Sequence, residues 1–191
     1  MGRSRTGCAA TATATAVGLA ASTLLGVAAG QARAETQQNG ITMLKQEKTQ
    51  WCWVASGLTI AKFQGFGSTQ TDFCTRAQPS NGCNNQPATL GDMARGWGSL
   101  GMTRTGTGLN SAATFDQVYT DVKASRPVAA RIGWTAGGGH MNVVYGYDTD
   151  KKTVAVADPW PDTATYTWWN YADYVSNSSF KWTHSRIGIS K

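Results

Sequence analysis

"QEKTQWCWVASGLTIAKF", residues 46–63, sets one cysteine between two tryptophans, just ahead of a run that is apolar nearly all round. From Trp53 to Phe63 the apolar side chains fall at 54, 58 and 61, and again at 53, 60 and 63. Steps of three and four residues belong to a helix, and apolar positions over most of its circumference belong to one buried at a domain centre. The spacing predicts a helix over 53–63 with Cys52 at its first turn. Most unpaired cysteines are small buried hydrophobes, so the rest of the chain must show whether Cys52 is more.

Outward from that helix, "ATLGDMARGWGSLG" (88–101) and "SAATFDQVYTDVKAS" (111–125) read as two more, the latter with Phe115, Val118 and Val122 on one stripe. After Pro127 the pattern changes. "PVAARIGW" (127–134), "HMNVVYGYD" (140–148) and "KTVAVAD" (152–158) are β-rich and separated by glycine or Asp/Lys turns. A helical piece around Trp169 to Tyr174 leads to a last strand, "FKWTHSRIGI" (180–189). Helices first and antiparallel strands after them predict an α+β domain. At 191 residues the chain holds one domain with a proper core.

The first 34 residues read as something else. Arg3 and Arg5 precede an uncharged stretch from Gly7 to Gly30, and Ala32-Arg33-Ala34 makes an A-x-A cleavage site. That predicts a cleaved secretory signal over 1–34 and a domain over 35–191, with an uncleaved anchor as the alternative. Three of the 17 Lys and Arg residues (Arg3, Arg5, Arg33) and none of the 11 acids precede Glu35, so the net charge falls from +6 to +3 for the domain. So mild a charge, without a basic run, argues against a nucleic-acid partner.

Cys8 leaves with the signal, so Cys52, Cys74 and Cys83 remain. Cys74 and Cys83 bracket a polar loop, "CTRAQPSNGC", whose Pro79, Asn81 and Gly82 suit a reversal, and secretion favours their pairing as a disulfide. Cys52 is then an odd thiol, the kind to examine for reactivity.

A thiol nucleophile needs a base, and the base needs a group to orient it. His140 follows three glycines and opens a strand whose hairpin turn centres near Asp150, so it lies opposite the region of Asp158 to Trp160. Asp158 on one ring nitrogen would leave the other for Cys52. At a helix start, free N–H groups stabilise a thiolate and an oxyanion. The Gln46 amide, on the preceding loop, offers a second oxyanion donor. His184 has no cysteine or acid beside it and reads as structural. Trp51, Trp53 and Trp134 are near enough in sequence to line a cleft.

"Q-E-K-T-Q-W-C-W-V-A-S" resembles the nucleophile motif of papain-like cysteine peptidases, "H-M-N-V-V-Y-G-Y-D" their histidine strand, and "V-A-D-P-W" the segment that follows. The W-C-W and aspartate variants resemble compact bacterial members, the AvrRpt-type effector proteases and their secreted relatives. The resemblance implies a papain-like fold, with the nucleophile helix packed on a small antiparallel sheet. It implies Cys52 as nucleophile, His140 as base and acid, Asp158 as orienting group, Gln46 as oxyanion donor and Trp160 as shield. Residues of the larger family's substrate pocket do not align, so no specificity carries over.

The expectation is a secreted, extracellular cysteine endopeptidase acting on a peptide or protein as a monomer, without stable membrane association after signal cleavage. It needs no cofactor, and no pair at ligand spacing suggests a metal. Two alternatives use the same residues: a transglutaminase-like amide transferase, and a non-catalytic binding or inhibitor module on the same fold.

Overall fold

Helix α1 (Cys52–Phe63) forms where the pattern places it, and every residue from Trp53 to Ala61 is buried. This is a computed structural model that describes residues 34–191, so the signal expected over 1–34 lies, but for Ala34, outside the described residues. Helix α1 ends where Gly65 takes a φ of +93° and the N–H groups of Gly65 and Phe66 return to the carbonyls of Lys62 and Ala61. The left-handed turn at glycine satisfies the last carbonyls.

Two helices flank α1. Helix α3 (Leu90–Ser99) matches the expected 88–101; α2 (Gln70–Ala77) was not expected, because its apolar stripe is only Phe73, Cys74 and Ala77 among polar neighbours. Phe73 welds the three together. A Cβ on Gly57 of α1 would sit 2.7 Å from its ring, and one on Gly96 of α3 2.9 Å. The expected Cys74–Cys83 disulfide is present, tying α2 to the segment that runs back past the start of α1.

All strand pairs are antiparallel, and the sheet is larger than the four strands anticipated. It contains β1 (Thr36–Gln38), β2 (Arg104–Leu109), β3 (Val128–Trp134), β4 (Gly139–Asp148), β5 (Thr153–Ala157), β6 (Tyr166–Asn170) and β7 (Phe180–Ser190). Their order is β2-β7-β3-β4-β5-β6, with β1 beside the end of β4. Strand β6 corrects the expected helical piece: only Tyr171–Val175 is helical (α5), and 166–170 alternates exposed and half-buried residues as an edge strand does. Strand β2 escaped notice because its two glycines break any apolar run. Helix α4 (Phe115–Lys123) is as predicted. One face of the sheet, with Ala129, Met141 and Val143, packs on α1 to α3; the other, with Val144, Val154 and Val156, packs on α4 and an aromatic cluster at Tyr174 and Trp182.

The β4–β5 ladder carries the feature that builds the site. Asp148 pairs with Thr153, Tyr147 with Val154 and Gly146 with Ala155; then the register shifts, and Val144 pairs with Val156 and Val143 with Ala157. Tyr145 is the extra residue of a β-bulge. One further step sets Asn142 opposite Asp158, which makes His140 and Asp158 diagonal neighbours on one face. In an unbulged ladder Asp158 would point away from His140. Gly146 is required beside the bulge, since a Cβ there would lie 2.8 Å from Gln38 Cγ and 2.9 Å from the Gln37 carbonyl of β1.

Candidate active site

Cys52 is the first residue of α1, it is half-buried, and it is the free cysteine of the described residues. Trp51, at the cap position, provides no side-chain hydrogen bond to the first turn. The N–H groups that open any helix lack intrahelical partners, and here no side chain takes them. They are grouped beside the thiol.

His140 and Asp158 meet as the hairpin register requires. His140 Nε2 lies 2.7 Å from Asp158 Oδ1, and the same oxygen accepts the backbone N–H of Trp160 at 2.7 Å. With Nε2 occupied, Nδ1 is left for the Cys52 thiol, which lines the same cleft as the ring. Burial alone would lower the pKa of His140. The Asp158 carboxylate and the Cys52 thiol outweigh it and raise the value from the ordinary 6.5 to about 9. Burial pushes the Asp158 carboxyl up, but the His140 ring, the Trp160 N–H and the Lys45 ammonium together hold it below the usual carboxylate value. The raised value favours the imidazolium form of the ring, the partner that a thiolate at Cys52 needs.

The tryptophans divide. Trp134 stacks on the His140 ring at 6.3 Å and 25°, Trp160 meets it edge-on at 6.4 Å, and both line one cleft with Cys52, His140, Asp158, Thr49, Gln50, Gly139 and Thr163. Trp51 and Trp53 do not line it, contrary to expectation. Both are buried in the core, with indole N–H groups donating to the carbonyls of Asn84 and Gln86. They hold the segment beyond Cys83 against the nucleophile helix.

Gln46 also differs from its expected state. It is buried, its Nε2 donates to the Lys48 and Thr49 carbonyls at 2.9 Å each, and its Oε1 has no partner. No amide N–H is left pointing free at the cleft; instead the side chain braces the turn that delivers Cys52. Thr49, to which it is bonded, lines the cleft.

Other residues that hold the site were not legible beforehand. The Gln46 backbone N–H donates to the Pro159 carbonyl at 2.9 Å, and Lys45 Nζ donates to the Trp160 carbonyl at 2.6 Å, joining the cysteine loop to the aspartate segment. Ser56 Oγ donates to the Met141 carbonyl at 3.0 Å, pinning α1 to the strand that carries His140. Gln70 donates to the Lys45 carbonyl and accepts the Glu47 N–H. Each spans elements distant in sequence, and only the run of small residues after Cys52 hinted that α1 sits close to a strand.

A cysteine at an open helix start, facing a histidine and an aspartate on an antiparallel sheet, defines a papain-like cysteine peptidase, a hydrolase. Residues 38–186, most of the chain, match the model of the Peptidase_C39 like family, and the chain belongs to that family. Among solved structures it is similar to the peptidase domain of Streptococcus ComA, a bi-functional ABC transporter involved in a quorum sensing pathway. That match has 16% identity and a TM-score of 0.58 over 78% of this chain and 97% of that one. It is also similar to a double glycine motif protease from an AMS/PCAT transporter in complex with its leader peptide, with 11% identity and a TM-score of 0.54 over 81% and 95%. At these identities the likeness shows the fold alone. No curated protein matches the chain.

Among the described residues no helix is long and apolar enough to cross a membrane, and no group of three His, Cys, Asp or Glu side chains could hold a metal ion.

Proposed function

We propose that this chain is a secreted, extracellular cysteine endopeptidase in which Cys52 attacks the substrate carbonyl, His140 moves the proton and Asp158 orients His140. One observation carries the reading: Cys52 at an uncapped helix start lines one cleft with the His140 ring and the Asp158 carboxylate bonded to that ring. The thiolate adds to the peptide carbonyl carbon, and the oxyanion takes the backbone N–H of Cys52. Gln46 supplies a second N–H by exchanging its bond to the Lys48 or Thr49 carbonyl for the oxyanion. The imidazolium protonates the departing amine, leaving an acyl-enzyme. Water, deprotonated by His140, then attacks the acyl carbon, releases the acid and restores the thiolate–imidazolium pair.

The leader peptide held by one structural neighbour supports an extended peptide as substrate here. The Trp51-Cys52-Trp53 motif and Asp158 support the finer kinship with AvrRpt-type effector proteases and their secreted relatives. The Ala32-Arg33-Ala34 site supports release of a domain spanning 35–191. Mass spectrometry of a mixed peptide library after incubation with the purified protein tests the reading. New termini generated by hydrolysis are expected; exchange of amines without hydrolysis, or an untouched library, would overturn it.

A further inference from the structure

A second cleft, of about 520 Å³, lies between the start of α3 and strands β2, β3 and β7. Its walls include Arg131, His184 and Arg186 on the sheet side and residues 88–91 on the helical side. The strand register explains the basic cluster. Arg131 pairs with His184 and Ala129 with Arg186, so all three basic side chains share the sheet face on which Ala129 packs toward α1 to α3.

Among the described residues these groups have no acid of their own. Among the described residues neither guanidinium forms a salt bridge; the nearby Asp92, on α3, is spent on Arg95 and Thr89. Arg131 donates from Nη1 to Thr183 Oγ1 at 2.8 Å. Arg186 is clamped by the Thr105 and Gly106 carbonyls through Nε and Nη2, which leaves Nη1 beside Gly108, a residue of the cleft wall. His184 uses Nδ1 on Thr183 and makes no bond through Nε2. Half-buried guanidinium groups held by neutral oxygens retain N–H donors and full charge, the donor set that takes a carboxylate.

The cleft adjoins the catalytic one. Gly139 lines the catalytic cleft, and a Cβ on it would lie 2.7 Å from Arg131 Nη2, so this guanidinium sits against the strand just ahead of His140. On the helical side, Gln86, which accepts the Trp53 indole N–H, is two residues from Ala88 in the wall of the basic cleft.

We propose that the Arg131–His184–Arg186 cleft binds an acidic side chain of the peptide substrate, close to the bond that Cys52 attacks. This rests on the peptidase reading and names the substrate class. Acid recognition here is independent of the reacting atoms, so it can be read by binding as well as by turnover.

The test uses matched peptides in which Glu, Gln or Lys is moved through the positions flanking the cleaved bond. At one position the Glu peptide should exceed its Gln isostere in kcat/KM by about 10–100-fold, the worth of a charge-assisted hydrogen bond. Arg131→Met should bring that ratio close to one, and Arg131→Glu should transfer the preference to Lys. Equal cleavage of Glu and Gln peptides at every position, or a Glu preference that survives Arg131→Met, would overturn the proposal. Fluorescence anisotropy of the same peptides with Cys52→Ala protein gives a second readout that needs no turnover. A Glu preference in Kd there, even if nothing is cleaved, supports acid recognition apart from the peptidase reading. Arg131-dependent binding of inorganic phosphate without any peptide preference would overturn it in favour of a free-anion site.

Discussion

Helices α2, α3, α4 and α5 each begin with a side chain that closes the first turn, and α1 does not. Thr69, Thr89, Thr114 and Asn170 accept N–H groups of their own helices, and Thr89 and Thr114 complete capping boxes with Asp92 and Gln117. At α1 the cap position is Trp51, turned into the core. A side-chain cap is worth about 1 kcal/mol, and α1 forgoes it at the helix end that carries the nucleophile. Its start is held from outside instead, by Gln46 on the preceding loop, by Gln70 of α2, which bonds to that loop at Lys45, and by Asn85, which accepts the Gln50 N–H at 2.8 Å. The four capped ends are finished by their own residues, while the end that carries Cys52 keeps its donors free, as the proposed reaction requires.

The sharpest way to break that comparison is Gln46→Ala. It removes both the brace of the nucleophile loop and the proposed second donor, and kcat should fall by about 10²–10³-fold, the loss usual for one oxyanion donor. A near-normal rate with a folded protein would mean that the open helix start suffices alone.

Asp158 tests the electrostatics of the same region. His140 titrates near 9 with Asp158 beside it, and the thiolate pair requires the imidazolium, so kcat/KM should fall as pH rises through about that value. Asp158→Asn removes the charge but keeps an acceptor for the ring, so it should retain about tenfold more activity than Asp158→Ala, with its alkaline limb moved to lower pH. Equal loss in the two variants would show that charge, not orientation, is the role of Asp158.

Effects on stability come next in size. Replacing Cys74 and Cys83 by alanine should cost roughly 2–3 kcal/mol by the chain-entropy argument. It should also lower activity, because the bridge anchors the segment that takes the Trp51 and Trp53 indoles. Denaturant unfolding and peptide turnover on one preparation check both. The smallest effect sharpens the comparison from the other side: Thr114→Ala, at the start of α4 and away from both clefts, should cost about 1 kcal/mol of stability and leave turnover intact. A Thr114→Ala variant that lost activity while keeping its stability would dissolve the distinction between finished and open helix ends.

The parts of the molecule legible in the sequence were those governed by short periods. Helix α1 announced itself by three- and four-residue spacing, and the hairpin turn located Asp158 near His140. The disulfide followed from a reversal between two cysteines. What was not legible depends on long-range packing. The bulge at Tyr145, which puts His140 and Asp158 on one face, leaves no periodic trace beyond the adjacent Gly146. The burial of Trp51 and Trp53 depends on carbonyls that arrive from beyond Cys83. Gln46 looked like a free donor because its partners, Lys48 and Thr49, offer only backbone. His184 read as structural because its basic neighbours stand on other strands or two residues along its own.

The central claim is that Cys52, at the open helix start, is the group that makes and breaks the acyl bond. Limiting amounts of a thiol-reactive epoxide, followed by intact-mass and peptide mapping alongside residual turnover, test it directly. The account predicts an adduct at Cys52 alone and activity lost in proportion to its occupancy. Peptide hydrolysis that survived full modification of Cys52 would contradict it.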